Sequence, residues 1–263
     1  MSMPFYVSPE QLMKDKSDYA RKGITRGKSV IALAYKDGIA FVAENPSATL
    51  HKISEIYDRM AFAAVGKFNE FESLRMHGIR QADVRGYSYS REDVSARGLA
   101  NSYSQILGQI FTEAMKPFEV EILVAQVGHT PEANELYRIL YDGSVADEEN
   151  FVAMGGRADE MAAYLESHYK PDNALADAVR VGFSALKDAE SREIQASGNL
   201  EVAILDRTRE RRKFRRLIDK EITAIIDEAK PDPKSDEEPT DTNAAGPESK
   251  GAPSAKKDAA EPA

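Results

Sequence analysis

The chain has 263 residues, a net charge of −9 and no cysteine. Its length allows one large domain or two small ones to bury an adequate core without staples, and the missing thiols exclude disulfides and thiolate chemistry and suit a reducing cytosol. The acidic balance argues against general nucleic-acid binding, and no apolar run approaches the roughly 20 residues of a membrane span.

Residues 1–7 form a short strip before the first helix signal, with no hydrophobic signal core, which argues against export. Ser8-Pro9-Glu10-Gln11 then predicts a helix opening. Ser8 can cap the first turn, proline suits the first helical position, and Gln11 can reach back to the Ser8 amide. The helix is expected over Pro9–Lys22, with Leu12, Met13, Tyr19 and Ala20 on one side and Gly23 as its stop. The period next changes to strand. Ser29–Tyr35 and Ile39–Glu44 flank the turn Lys36-Asp37-Gly38, and Ile53–Tyr57 and Met60–Val65 form a second hairpin around Asp58-Arg59. Helical spacing follows from Lys67 to about Arg85. A second helix is expected to open at the capping-box pattern Ser90-Arg91-Glu92-Asp93 and to close before Pro117.

The scheme then repeats. Val120–Val127 and Glu135–Tyr141 read as paired strands, and Asp142-Gly143 leads into two shorter ones ending at Met154. Gly155-Gly156 precedes a helix over Ala158–His168, and Asn173–Ala189 carries a second apolar stripe. Leu200–Leu205 and Phe214–Leu217 make a last strand pair before a terminal helix marked by Ile222, Ile225 and Ile226. From Lys230 to Ala263 there is no Val, Ile, Leu, Met or aromatic residue, and half of the chain's prolines fall there. Such a segment cannot offset its ordering entropy, so 230–263 is expected to be a disordered acidic, Pro/Ala-rich tail on a folded body ending near residue 229. Blocks of adjacent strands alternating with helix pairs are not a βαβ pattern. They predict an α+β fold in which two antiparallel sheets pack face to face with a helix pair over each outer side.

The constellation Ser8-Pro9 … Tyr19-Ala20, Lys36-Asp37-Gly38, Glu44, His51-Lys52-Ile53 and Ala64-Val65-Gly66 resembles the α-type subunits of the proteasome core particle. Phe5-Tyr6-Val7-Ser8-Pro9-Glu10-Gln11-Leu12-Met13 and Tyr19-Ala20-Arg21-Lys22-Gly23 point to the actinobacterial branch. The resemblance runs across about 1–229. It implies the four-layer αββα sandwich of N-terminal-nucleophile hydrolases. It also implies a homo-heptameric ring of α subunits stacked on catalytic β subunits, a ring-shaped ATPase docked on the outer face, and tagged, unfolded protein substrates passing through, all in the cytoplasm.

In the catalytic members of that superfamily an N-terminal threonine attacks the peptide carbonyl, and its own free α-amine, with a pKa of roughly 7.7–8.0, takes the proton. Matching the Asp37-Gly38 turn to the family pattern puts Lys28 at the nucleophile position, where there is neither a hydroxyl nor a free amine. An active threonine peptidase would instead require cleavage after Ile24 to expose Thr25. Glu44 and Lys52 match in type the acid and the lysine of the old active site. Glu44 reads more simply as a strand-end cap, and the alternative for Lys52 is a solvated surface charge. The resemblance further implies that Lys52 lines the pocket between neighbouring subunits and receives the C-terminal carboxylate of the ATPase tail, a task suited to an ammonium on a flexible stem. It also implies that Met3, Pro4, Phe5, Tyr6 and Val7 gate the ring axis, a reading favoured over ordinary terminal disorder because Pro4-Phe5-Tyr6-Val7 is too apolar for a free end. Leu12, Met13 and Tyr19 would contact the adjacent α subunit, or else pack on their own domain.

Other motifs carry less. Gly182-Phe183-Ser184-Ala185-Leu186 lacks the second glycine of a nucleophile elbow and lies on a helix stripe. Gly155-Gly156 lacks the lysine of a phosphate loop and reads as a tight strand-to-helix turn. Asp147-Glu148-Glu149 reads as a solvated loop. His51, His77, His129 and His168 show no i, i+3 or i, i+4 pairing, so neither a metal nor a cofactor site is expected. The basic run from Arg207 to Arg216 reads as a solvated hairpin or one with acidic neighbours rather than a nucleic-acid patch.

Overall fold

The computed structural model describes residues 8–190, 194 and 198–227. The segment 1–7 expected to act as a gate and the expected tail 230–263 lie outside them. Helix α1 (Pro9–Thr25) starts as its cap residues require, with the Ser8 hydroxyl accepting from the Gln11 amide at 3.2 Å. Strands β1 (Val30–Tyr35), β2 (Gly38–Glu44), β3 (Ile53–Tyr57) and β4 (Met60–Gly66) follow as two hairpins, then α2 (Phe68–Ser88) and α3 (Ala96–Glu113). The second half holds β5 (Val120–Gln126), β6 (Glu135–Ile139), β7 (Val145–Asp147), β8 (Phe151–Met154), α4 (Ala158–His168), α5 (Leu175–Ala189), β9 (Leu200–Asp206), β10 (Phe214–Arg216) and α6 (Asp219–Asp227).

These strands make two antiparallel sheets, ordered β10-β9-β2-β1-β8 and β3-β4-β5-β6-β7. Period-two alternation sends successive side chains of each central strand to opposite faces, and both faces are covered. Ala32, Ile39 and Phe41 of the first sheet meet Ala61, Ala63, Leu123 and Ala125 of the second in an inter-sheet core. On the other face of the first sheet, Ile31, Leu33 and Val42 pack on Met161 and Leu165 of α4 and Val179 and Leu186 of α5. Phe62, Ala64, Ile122 and Val124 likewise pack on Phe71 and Leu74 of α2 and Leu99, Tyr103 and Leu107 of α3. Three apolar layers between helix pair, sheet, sheet and helix pair make the α+β, αββα sandwich that the block order and the resemblance predicted.

Several boundaries differ from expectation for identifiable reasons. Gly23 does not stop α1. A Cβ there would collide with the Glu119 side chain, so the glycine permits close approach and the helix runs on to Thr25. Ser90 caps only a short turn over Arg91–Asp93; α3 starts later, with the Ser95 hydroxyl accepting from the Gly98 amide at 3.2 Å. The buried Gln126 fixes that start by accepting from the Ala96 amide at 2.9 Å. The two short strands separate: β7 pairs with β6 and β8 with β1, so the chain crosses between sheets around Asn150, whose φ is +66°. Gly155, at φ +117° and pressed against Ser29, makes the strand-to-helix turn into α4. Gly182 sits within α5 against Val42 and Leu33, so the elbow-like run is helix core.

Candidate functional site

The position matched to a nucleophile lies where α1 ends and β1 begins, beside the open end of the inter-sheet core. Helix α1 is built into that end. Ala20 is fully buried and Ile24 is 7 % exposed in the inter-sheet cluster. The Lys16 ammonium donates to the Phe111 carbonyl at 2.9 Å, satisfying an orphan acceptor at the C-terminus of α3 where a cation is favoured. Arg21 Nε donates to the Tyr141 hydroxyl at 3.0 Å. Thr25 is inside this helix. Its hydroxyl donates to the Arg21 carbonyl at 2.8 Å, and its nitrogen is a peptide amide.

Just beyond, the Lys28 ammonium pairs with the Glu44 carboxylate at 3.1 Å. Glu44 closes β2 and is buried; Lys28 is partly exposed. Lys52 enters from the start of β3 and donates its ammonium to the Lys28 carbonyl at 2.7 Å. The structure therefore brings Lys28, Glu44 and Lys52 together from three segments of the chain. Lys52 is not a freely solvated charge. Burial pulls its pKa down to about 8; the Glu201 and Glu44 carboxylates oppose that fall and the Lys28 ammonium adds to it.

Glu201 organises the same corner. It lies on β9, and a buried carboxylate needs compensating partners. Its Oε2 accepts from the Lys52 amide at 2.9 Å and from Asn45 Nδ2 at 2.8 Å; its Oε1 accepts from the Ile53 amide at 3.2 Å. Arg216 Nη2 pairs with Oε1 at 3.1 Å, and His51 Nδ1 lies 3.4 Å from it. Neither Glu201 nor Asn45 was singled out from the sequence. The available signal was a carboxylate within the apolar run Leu200-Glu201-Val202-Ala203-Ile204-Leu205.

A cavity of about 270 Å³ opens beside the cluster, lined by Thr25, Arg26, Lys28, Ser29, Arg157 and Glu190 among others. Chemically the cluster holds two ammonium groups, Lys28 on Glu44 and Lys52 on the Lys28 carbonyl. The Thr25 hydroxyl is spent on the Arg21 carbonyl, and the nitrogens of Thr25 and Lys28 are peptide amides. Among the described residues no group of three His, Asp or Glu side chains could hold a metal ion, and no helix is long and apolar enough to cross a membrane.

Residues 24–205 match the family model described as "Proteasome subunit". The chain belongs to the proteasome subunit family. Among its relatives, "Proteasome subunit alpha" of Kineococcus radiotolerans is 62 % identical over 224 residues, covering 82 % of this chain and 94 % of that protein. The protein of the same name from Sanguibacter keddieii is 61 % identical over 221 residues (82 % and 86 %), and that from Thermobifida fusca 56 % over 231 residues (87 % and 92 %). These relatives place the chain with the actinobacterial α type of proteasome subunit.

The other predicted contact residues lie on the exposed side of α1. Leu12 and Tyr19 are each about half exposed, and Met13 is partly buried. The expected stripe divides: Ala20 enters the core, while Leu12 and Tyr19 line an apolar hollow of about 380 Å³ with Lys16, Met115, Lys116 and Pro117. Met3–Val7 lie outside the described residues. Much of the basic run is consumed internally. Arg212 pairs with Glu55, Arg215 with Glu221 and Arg216 with Glu201, while Arg207 donates to the Gly128 carbonyl at 3.1 Å.

Proposed function

We propose that the chain forms heptameric outer rings of the proteasome core particle, which stack on catalytic β subunits, regulate entry to the chamber and dock a ring-shaped ATPase for cytoplasmic degradation of tagged proteins. The observation that carries the non-catalytic part is the pairing of a lysine at the nucleophile position with a helix anchored ahead of it. Removing α1 to free Thr25 would empty the inter-sheet core of Ala20 and Ile24, and processing is therefore disfavoured.

Lys52 is the proposed receiver of the ATPase tail carboxylate. Its ammonium is already partly stripped of water, so an arriving carboxylate meets a smaller desolvation cost than at a solvated lysine. Lys52→Ala should abolish most ATPase stimulation of proteolysis while α rings still assemble; unchanged stimulation would remove Lys52 from the role. Residues 3–7 are the proposed gate, and Leu12, Met13 and Tyr19 the proposed contact with the next α subunit. That contact would cover an apolar hollow whose Met115 is 97 % exposed on the subunit alone. Deleting residues 2–7 should accelerate peptide hydrolysis by the assembled particle, and an unaltered rate would end the gate assignment.

A further inference from the structure

The proposed docking lysine stands at the end of a loop, 45–52, that is held down by a side chain from a different strand 149 residues later in the chain. Within the loop, Asn45 Nδ2 donates both to the Leu50 carbonyl at 2.7 Å and to Glu201, while Asn45 Oδ1 accepts from the Ser47 amide at 3.0 Å. Glu201 then clamps the loop exit by accepting consecutive backbone amides, from Lys52 and Ile53. Two consecutive amides on one carboxylate fix where the Lys52 backbone sits and hence where its side chain starts.

We propose that Glu201 is the positioning residue of the activator-docking site: it fixes the Lys52 backbone and supplies the negative field that keeps the Lys52 ammonium charged for an incoming chain-end carboxylate. This rests on the assignment of Lys52 as the docking residue. The charged groups facing Lys52 are known from each neighbouring element. Lys28 stands ahead of β1, Glu44 at the end of β2, His51 beside it on the loop, Glu201 on β9, and Arg216 on β10 across Glu201. Glu44 is shared with the Lys28 ammonium and Glu201 with Arg216, but Glu201 in addition accepts from the Lys52 main chain.

An alternative role for Glu201 would be purely architectural, joining the two sheets through Ile53 and Arg216. Such a role predicts loss of stability on substitution, yet no change in how Lys52 titrates. A positioning role predicts both a weakened site and an altered pH response.

The test uses assembled α7β7β7α7 particles, in wild-type form and with Glu201→Gln, Asn45→Ala or Lys52→Ala. The probe is a synthetic peptide ending in a free carboxylate with the sequence of the ATPase tail; its amidated form is the control. Affinity is followed from pH 6.5 to 9, and the Lys52 amine is titrated separately by NMR of the isotope-labelled side chain. Glu201→Gln removes the charge at nearly constant shape. If the Lys52 pKa falls by about one unit, the ammonium fraction at pH 7.5 drops about threefold, and carboxylate affinity drops with it. The alkaline limb of the binding profile should move to lower pH by the same interval. Asn45→Ala, which loosens the loop without touching the charge of Glu201, should weaken tail binding several-fold with the Lys52 pKa nearly kept. It also serves if Glu201→Gln fails to assemble. Wild-type affinity and wild-type Lys52 titration in Glu201→Gln, or wild-type affinity in Asn45→Ala, would overturn the inference. If instead Lys52→Ala still binds the tail peptide as wild type does, it is the docking assignment that fails.

Discussion

Replacing Ile24 by alanine tests whether α1 is part of the fold or merely precedes it. Ile24 is 7 % exposed and joins Ala20, Val30 and Val65 in the inter-sheet cluster. Truncating a buried isoleucine to alanine costs about 2–5 kcal/mol, the transfer term plus the cavity left behind. This residue lies at the open end of the core, where neighbours can partly close the gap, so a loss of about 2–3 kcal/mol is expected. For a body of this size that is a fall in Tm of about 5–10 °C. The assay is urea and thermal unfolding of the unassembled subunit at fixed protein concentration, with Leu12→Ala as the control. Leu12 is 47 % exposed, so its truncation should move stability by less than about 0.5 kcal/mol in the unassembled subunit. Equal, small losses for the two variants would refute the claim that α1 is wedged into the sandwich.

Three further outcomes are expected. Lys28→Thr restores a hydroxyl at the nucleophile position but leaves it behind a peptide amide, so the subunit should remain without peptidase activity; turnover or a covalent inhibitor adduct on that threonine would contradict the chemistry. The folded-state pKa of Lys52, about 8, lies below its unfolded value of about 10.4. The unfolded chain then binds more protons between those values, and this group adds stability as pH rises from about 8 to 10. The stability difference between wild type and Lys52→Met should widen in favour of wild type over that window, and a flat difference would be inconsistent with a buried amine. Gly38 opens β2 where an added Cβ would strike the Leu205 carbonyl, which the β2–β9 ladder holds in place. Gly38→Ala should therefore cost at least about 2 kcal/mol, and an unchanged Tm would show that the ladder can yield.

Much of the fold was legible because its signals are local. The short apolar run Ile39-Ala40-Phe41-Val42-Ala43 after the Asp37-Gly38 turn, the Ser8-Pro9 cap and the helix stripe through Val179, Gly182 and Leu186 each report their element from a short window. What the windows concealed depends on tertiary partners. Ser90 caps only its own short turn, and the start of α3 at Ser95 is fixed by Gln126 from another strand. The separation of β7 and β8 into different sheets turns on pairing, which periodicity does not encode. The candidate site shows the same division. Lys28, Glu44 and Lys52 could be named through the resemblance to the family pattern and are found clustered. Glu201 could not, because its importance arises from contacts with Asn45, Lys52 and Arg216 that only folding creates.

The central claim is that this subunit contributes no nucleophile of its own. It is tested most directly by purifying the chain alone, recording its intact mass and peptidase activity, and then adding the β subunit together with a mechanism-based threonine inhibitor. The expected result is a mass that retains α1, no activity until β is present, and inhibitor label on β alone. A shortened chain beginning at Thr25 and carrying the label would contradict it.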